Sequence, residues 1–182
     1  MAPVIQEPVP ADSLLRTFRQ GPDPAAWERY SDCFRTVVDG PVTLPGFVLA
    51  FYTSPVFRVE RVILARFGWP STDDDARRVA DGTTDRFAAW RVLARAPGQL
   101  LLGDMLGNTR SWFAASVLPG DPARTELRFG SGIAARQDPH TGERRPSLGF
   151  RLLGGFHVVY SRVLLASAAG RLPGPAGDSA RG

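Results

Sequence analysis

The sequence predicts an α+β fold: an antiparallel β-meander sheet with a long C-terminal helix packed across it and short helices after the first strand. Three observations carry this. The apolar period is helical through "LPGFVLAFYTSPVFRVERVILARFG" and changes to two from Phe87 onward. Four period-two runs then follow with only short turns between them, the spacing of antiparallel neighbours. The last apolar stretch, "LLGGFHVVYSRVLLASAA", extends back to Leu148 and reads as one long helix.

Residues 1–30 read as an N-terminal extension, rich in proline and aspartate around a helical turn, "DSLLRTF", with Asp12 or Ser13 as its cap. "SDCFRTVVDG" alternates and ends at Asp39-Gly40, a first strand. Pro55 divides the apolar run that follows into two helices, because proline cannot continue the first and suits the first turn of the second. Gly68 ends the second helix, and "TDDDARRVADG" is a short solvated helix with acids at its positive end.

"FAAWRVLAR", "QLLLGDM", "TRSWFAASVL" and "TELRFGSGIAAR" are the meander strands, joined by "APG", "LGN" and "PGDPA". In the last of them Thr125, Leu127, Phe129, Ser131, Ile133 and Ala135 share one face, and Glu126, Arg128 and Arg136 the other. One face is therefore core and the other wet. No helix follows "FGSG", so it is no phosphate loop; its glycines mark a bulge or a close backbone approach. "QDPHTGERRPSLG" is a solvated loop, residues 31–172 make a single domain, and 173–182 are a disordered tail.

On a helical projection of the last element, Arg151 and Arg162 fall on one stripe with Ala169 beside them. Tyr160, Leu153, Leu164, Phe156 and Val163 lie opposite. Two arginines are expensive in a bilayer, so no integral membrane association is expected. The apolar face belongs across the sheet, where each large side chain buried contributes about 1.5 to 3 kcal/mol.

Composition narrows the function. The chain has 182 residues, 43% hydrophobic and 22% charged, which suits one globular domain. All 22 basic residues are arginine, scattered among 18 acids rather than gathered on a stripe, so no nucleic-acid partner is expected. A single cysteine, Cys33, precludes an internal disulfide and reads as a core residue, since no base is near it in sequence. The start "MAPVIQEPVP" has no basic n-region or apolar h-region, which predicts a cytoplasmic protein. Two histidines, His140 and His157, cannot build an ordinary zinc site, and no metal or cofactor is expected.

Two polar intruders stand out in apolar surroundings. In "SPVFRVERVILARF" the helical projection puts Arg58, Arg61 and Ala65 outward and Glu60 among Val56, Phe57, Ile63, Leu64 and Phe67. A carboxyl there is either paired with an arginine, tyrosine or histidine, or lines a ligand cavity. His157 lies on the flank of the last helix's apolar face, in line with Phe150, Gly154, Ser161 and Ala168, either as a hydrogen-bonded core histidine or as a catalytic one. Asp104 and Arg110 flank the "MLGNT" turn as a hairpin ion pair.

The order strand, two helices, meander, long helix resembles the helix-grip arrangement of the SRPBCC superfamily, the StAR-related lipid-transfer and polyketide-cyclase group. "FRVERVIL", "TRSWFA", "LRFGSGI" and "GFHVVYSRVLL" further resemble an uncharacterised bacterial domain family of that kind. The resemblance spans roughly residues 31–170, with five strand-like runs where the superfamily usually shows more. It implies a cavity between the sheet and the final helix for a hydrophobic small molecule, lipid-like or polycyclic. Glu60, Phe57, Arg110, Trp112, Phe129, Phe156, His157 and Tyr160 are the candidate lining residues. A second expectation is a cyclase- or dehydratase-type enzyme with Glu60 or His157 as general base and Arg110 stabilising negative charge. A third is an interaction protein, a homodimer formed through the apolar last helix.

Overall fold

The computed structural model describes residues 2–19, 31–133, 136–137, 144–145 and 148–172, with the backbone alone for 122, 136–137, 144–145 and 148–157. Its elements run β1 (Ile5–Glu7), α1 (Leu14–Thr17), β2 (Ser31–Asp39), α2 (Leu44–Tyr52), α3 (Pro55–Arg66), α4 (Asp73–Ala80), β3 (Arg86–Phe87), β4 (Trp90–Ala96), β5 (Gln99–Asp104), β6 (Thr109–Leu118), β7 (Asp121–Ile133), β8 (Arg136–Gln137), β9 (Arg144–Arg145) and α5 (Leu148–Ala169). The fold is α+β, and α5 packs against the sheet. Seven strands form an open antiparallel sheet in the order β1-β2-β7-β6-β5-β4-β3, with β8 and β9 a separate hairpin.

Local chemistry sets most boundaries. Ser54 and Thr43 cap α3 and α2 through their hydroxyls, each followed by proline in the first turn. Thr72 and Asp75 form a reciprocal capping box on α4. Pro97-Gly98 turns β4 into β5, with Gly98 at φ 68°, a conformation that glycine adopts without strain. The run "FAAWRVLAR" is not one strand. It breaks into β3 and β4 at a two-residue turn, where Ala88 itself takes φ 48°.

Strand alternation separates two cores. Phe34, Leu100, Leu102, Phe113, Leu127 and Phe129 face α2, α3, α4 and α5 in the larger one, where Phe51 and Tyr52 are also buried. Although solvated on one side, α4 docks Ala76, Val79 and Ala80 into this core.

The other face is not simply wet, as the sequence reading had it. Val9, Leu15, Cys33, Leu101, Trp112 and Ala114 form a second core there. The described part of the N-terminal stretch builds it: β1 pairs with β2, and α1 lies over the strands. Residues 2–19 are thus part of the fold rather than an appendage to it. Beside this core the face is charged, with Glu7 and Glu126 each bridging Arg35 and Arg128.

Two helix faces differ from their projections. On α3, Phe57 is buried, but Ile63 and Phe67 are 52% and 76% exposed. The helix is held instead on the side of Arg61, whose guanidinium binds the Ser71 carbonyl and Asp73. On α5 the buried line is Ser161, Leu164, Leu165 and Ala168, while Val163 is 45% exposed. The small, buried Ala168 and Ala169 let the helix approach α2 and β2 closely, so it is rotated toward them. Among the described residues no helix is long and apolar enough to cross a membrane. His140, most of the loop "QDPHTGERRPSLG" and the tail 173–182 lie outside the described residues.

Candidate functional site

A cavity of about 190 Å³ opens between the sheet and the helices. Its floor comes from inward positions of β6 and β7: Thr109, Ser111, Phe129, Ser131 and Ile133. Phe51 and Tyr52 of α2, Phe57 and Glu60 of α3, and Trp90 of β4 wall it on one side. Tyr160, Ser161 and Leu164 of α5 close the other.

Among the described residues Glu60 is the one acid in this lining, and the Tyr160 hydroxyl donates a hydrogen bond to its Oε2. Burial among the rings raises the Glu60 pKa, and the hydrogen bond from Tyr160 only partly opposes that. Burial, and then the same carboxylate, raise the pKa of Tyr52 and of Tyr160, so both phenols are neutral. Around it Tyr52 and Phe57 pack edge to face with centroids 4.9 Å apart, and Phe57 and Trp90 meet at a tilt with centroids 5.8 Å apart. On the floor, Ser131 donates to Asp32 Oδ1 at 2.6 Å.

The structure therefore brings together Glu60, Phe57, Phe129 and Tyr160 of the candidates read from sequence. Glu60 has both a tyrosine partner and an adjoining cavity. Trp112 is a correction. Its strand position faces the second core, where Nε1 donates to Gln99 Oε1 at 2.8 Å and the ring stacks over Gly130. Arg110 is a correction of the same kind: its residue borders the cavity, but its side chain alternates to the other face. There Nη1 donates to the Phe18 carbonyl at 3.2 Å, with the guanidinium 5.0 Å from the Phe18 ring centre. Burial, and then the charge of Arg19, lower the Arg110 pKa to about 10. That guanidinium is not aimed at the cavity, so it does not serve as the expected anion stabiliser.

Asp104 does not pair with Arg110 either; it accepts from the backbone N–H groups of Asn108 and Thr109 and holds the turn. The side chains of Phe156 and His157 lie outside the described residues. Cys33 is buried in the second core, and burial pushes its thiol up to about 12, an inert core residue. Among the described residues no cluster of potential metal ligands occurs.

Sequence reasoning missed Tyr52, Trp90 and the floor hydroxyls. The alternation that put Phe129 and Ser131 on one face was a usable signal for Ser131, but the pairing of Ser111 with Ser131 depends on register. No protein-family model, curated protein or solved structure matches the chain.

The raised pKa of Glu60 has a consequence for stability. The folded state holds this proton more tightly than the unfolded chain, whose glutamate titrates at about 4.3. The stability that neutral Glu60 contributes is full below that value and is lost as pH rises through the higher folded pKa. Glu60→Gln is therefore expected to raise Tm at neutral pH, with the gain shrinking toward zero near pH 4. Paired thermal melts from pH 4 to 8 check this; a mutant-minus-wild-type difference that does not change with pH contradicts it.

Proposed function

We propose that the chain binds a hydrophobic small molecule carrying one polar end, in the cavity between the sheet and α5. The observation that carries this reading is Glu60, a carboxyl standing in an aromatic-lined space of about 190 Å³. A packed core has no use for such a group, because an acid with a single tyrosine partner costs more there than leucine. A ligand-binding cavity does, since a few placed polar groups in an apolar wall orient what enters. The helix-grip resemblance and the position of α5 on the sheet agree with it.

Ser161→Leu tests the reading. Ser161 is 1% exposed and lines the cavity, so the added side chain has only that space to enter. The variant is expected to keep its Tm and to lose the stabilisation that toluene or indole confers on the wild type by mass action. If there is no usable space, overpacking lowers stability by about 1–3 kcal/mol and neither probe shifts the wild-type melt.

A catalytic use of the same residues is the second reading. An acid whose pKa is raised toward neutrality beside a phenol is suited to general base work of the cyclase or dehydratase type. It differs from simple binding in one respect: a bound ligand is converted, and Glu60→Gln slows conversion about 10²- to 10⁴-fold while binding persists.

A further inference from the structure

We propose that the ligand is an organic monocation, an amine or quaternary ammonium on an aryl or short alkyl body, held by the Glu60 carboxylate inside the aromatic wall of Tyr52, Phe57, Trp90 and Tyr160. The proposal rests on the pocket reading above and names the charge of its occupant. Three features of the cavity point the same way.

First, Glu60 has no counter-charge among the described residues. Among the described residues its hydrogen-bond partner is Tyr160, and no arginine is paired with it. The described arginines on the neighbouring positions of α3 and on the floor strand β6 are committed elsewhere. Arg61, the next residue of α3, and Arg58 both bind Asp73 at the start of α4. Arg110 of β6 turns to the other face of the sheet. Of the ionisable groups on the packed elements, Tyr52 and Tyr160 stay neutral, and Asp32 of β2 adds negative charge behind Ser131.

Second, the surrounding wall is aromatic rather than aliphatic. Tyr52, Phe57, Trp90 and Tyr160 all line the same space as Glu60. Ring faces carry negative potential and attract ammonium groups, most strongly where water is excluded. An aliphatic wall would accept a neutral ligand equally well and offer a cation nothing.

Third, the Tyr160 hydroxyl is a donor to the carboxylate. A hydrogen bond of that direction supports the ionised form of Glu60, the form a cation requires. Burial outweighs that hydrogen bond and favours the proton. An incoming cation supplies the missing counter-charge, so binding expels that proton. The space suits the size: a cavity of about 150 Å³ holds benzene, and about 190 Å³ leaves room for a small ammonium head.

The test uses the intact chain and two molecules of one shape, phenyltrimethylammonium and tert-butylbenzene, which differ in a charged nitrogen for a neutral carbon. Affinities are read by calorimetry and by protein NMR shifts. The cation is expected to bind at least tenfold more tightly at pH 8, to weaken as pH falls through the raised Glu60 pKa, and to release a proton on binding at pH values below that pKa. The neutral molecule should show none of this pH dependence. Glu60→Gln, which keeps the shape and can still accept from Tyr160, is expected to bring the two affinities together, and Trp90→Leu to weaken the cation alone. Equal affinities in the wild type overturn the cation proposal and leave the pocket reading standing. A preference that survives in Glu60→Gln overturns the role of the carboxylate. Failure of both molecules to bind at millimolar concentration overturns the pocket reading and this proposal with it.

Discussion

Phe51→Ala is expected to cost about 3–5 kcal/mol of folding stability, the largest loss from any single truncation in the aromatic core. The Phe51 ring is 2% exposed and joins α2 to the sheet. Its centroid lies 4.8 Å from that of Phe113, 4.7 Å from Phe129, 5.9 Å from Phe57 and 5.7 Å from Tyr52. Those neighbours belong to separate elements, so they cannot collapse together into the space the ring vacates. In a chain of this size the loss lowers Tm by roughly 6–20 °C. Phe51 also lines the cavity between the sheet and α5, so its removal enlarges that space. Toluene should therefore restore more stability to the variant than it adds to the wild type. Phe51→Leu, which keeps most of the volume, is the milder companion if the alanine variant unfolds at room temperature. Urea titrations giving less than about 1 kcal/mol for the alanine change would show that the ring is not packed as described.

Gly130→Ala is expected to cost about 1–3 kcal/mol by overpacking, an unusual sum for one added methyl. A Cβ at this position would lie 2.9 Å from Trp112 Cε3, 3.1 Å from the Asp32 carbonyl oxygen and 3.2 Å from Leu15 Cδ2. The carbonyl is fixed by the pairing of β2 with β7, and Trp112 is fixed by its bond to Gln99. Leu15, on the four-residue helix α1, is the neighbour able to give way. Loosening should therefore concentrate in α1 and appear as faster amide exchange there, with the meander still protected. Gly103→Ala is the control. Its Cβ would meet the Leu93 side chain, closest at Cδ1, 2.8 Å away, the far end of a flexible group. That variant should lose less, and equal losses would refute the account of the second core.

Several of these features are legible in the chain itself. Gly130 sits in "FGSG", where a glycine inside a strand signals close backbone approach, and Trp112 supplies that approach. The caps at Ser54 and Thr72 and the division at Pro55 depend on atoms within one turn of the backbone, so their residue types announce them. Glu60 was legible because a charge in an apolar helical face is costly wherever that helix docks.

The candidate site was read only in part, because parity does not say which side of a sheet is which. Alternation places Trp112 and Arg110 together on one face and Phe113 and Ser111 on the other, and each set contains a large aromatic ring. The helices cover the Phe113 side, and the N-terminal segment covers the Trp112 side. Trp90 needed more still, since it enters the cavity only after the chain breaks at Ala88 and β4 pairs with β5.

By itself, then, the sequence determined the order of the helices and longer strands, the long last helix and the misplaced carboxyl, all consequences of local period and local hydrogen bonding. Tertiary structure alone decided which faces meet. It rotated α5 so that Ser161 is buried and Val163 exposed, laid β1 and α1 on the sheet, and brought Tyr160 to Glu60 across a hundred residues of chain. The physical reason is common to these outcomes. Apolar burial rewards any apolar face about equally, so choosing among them falls to close packing and to the pairing of polar groups, which exist only once distant segments are side by side.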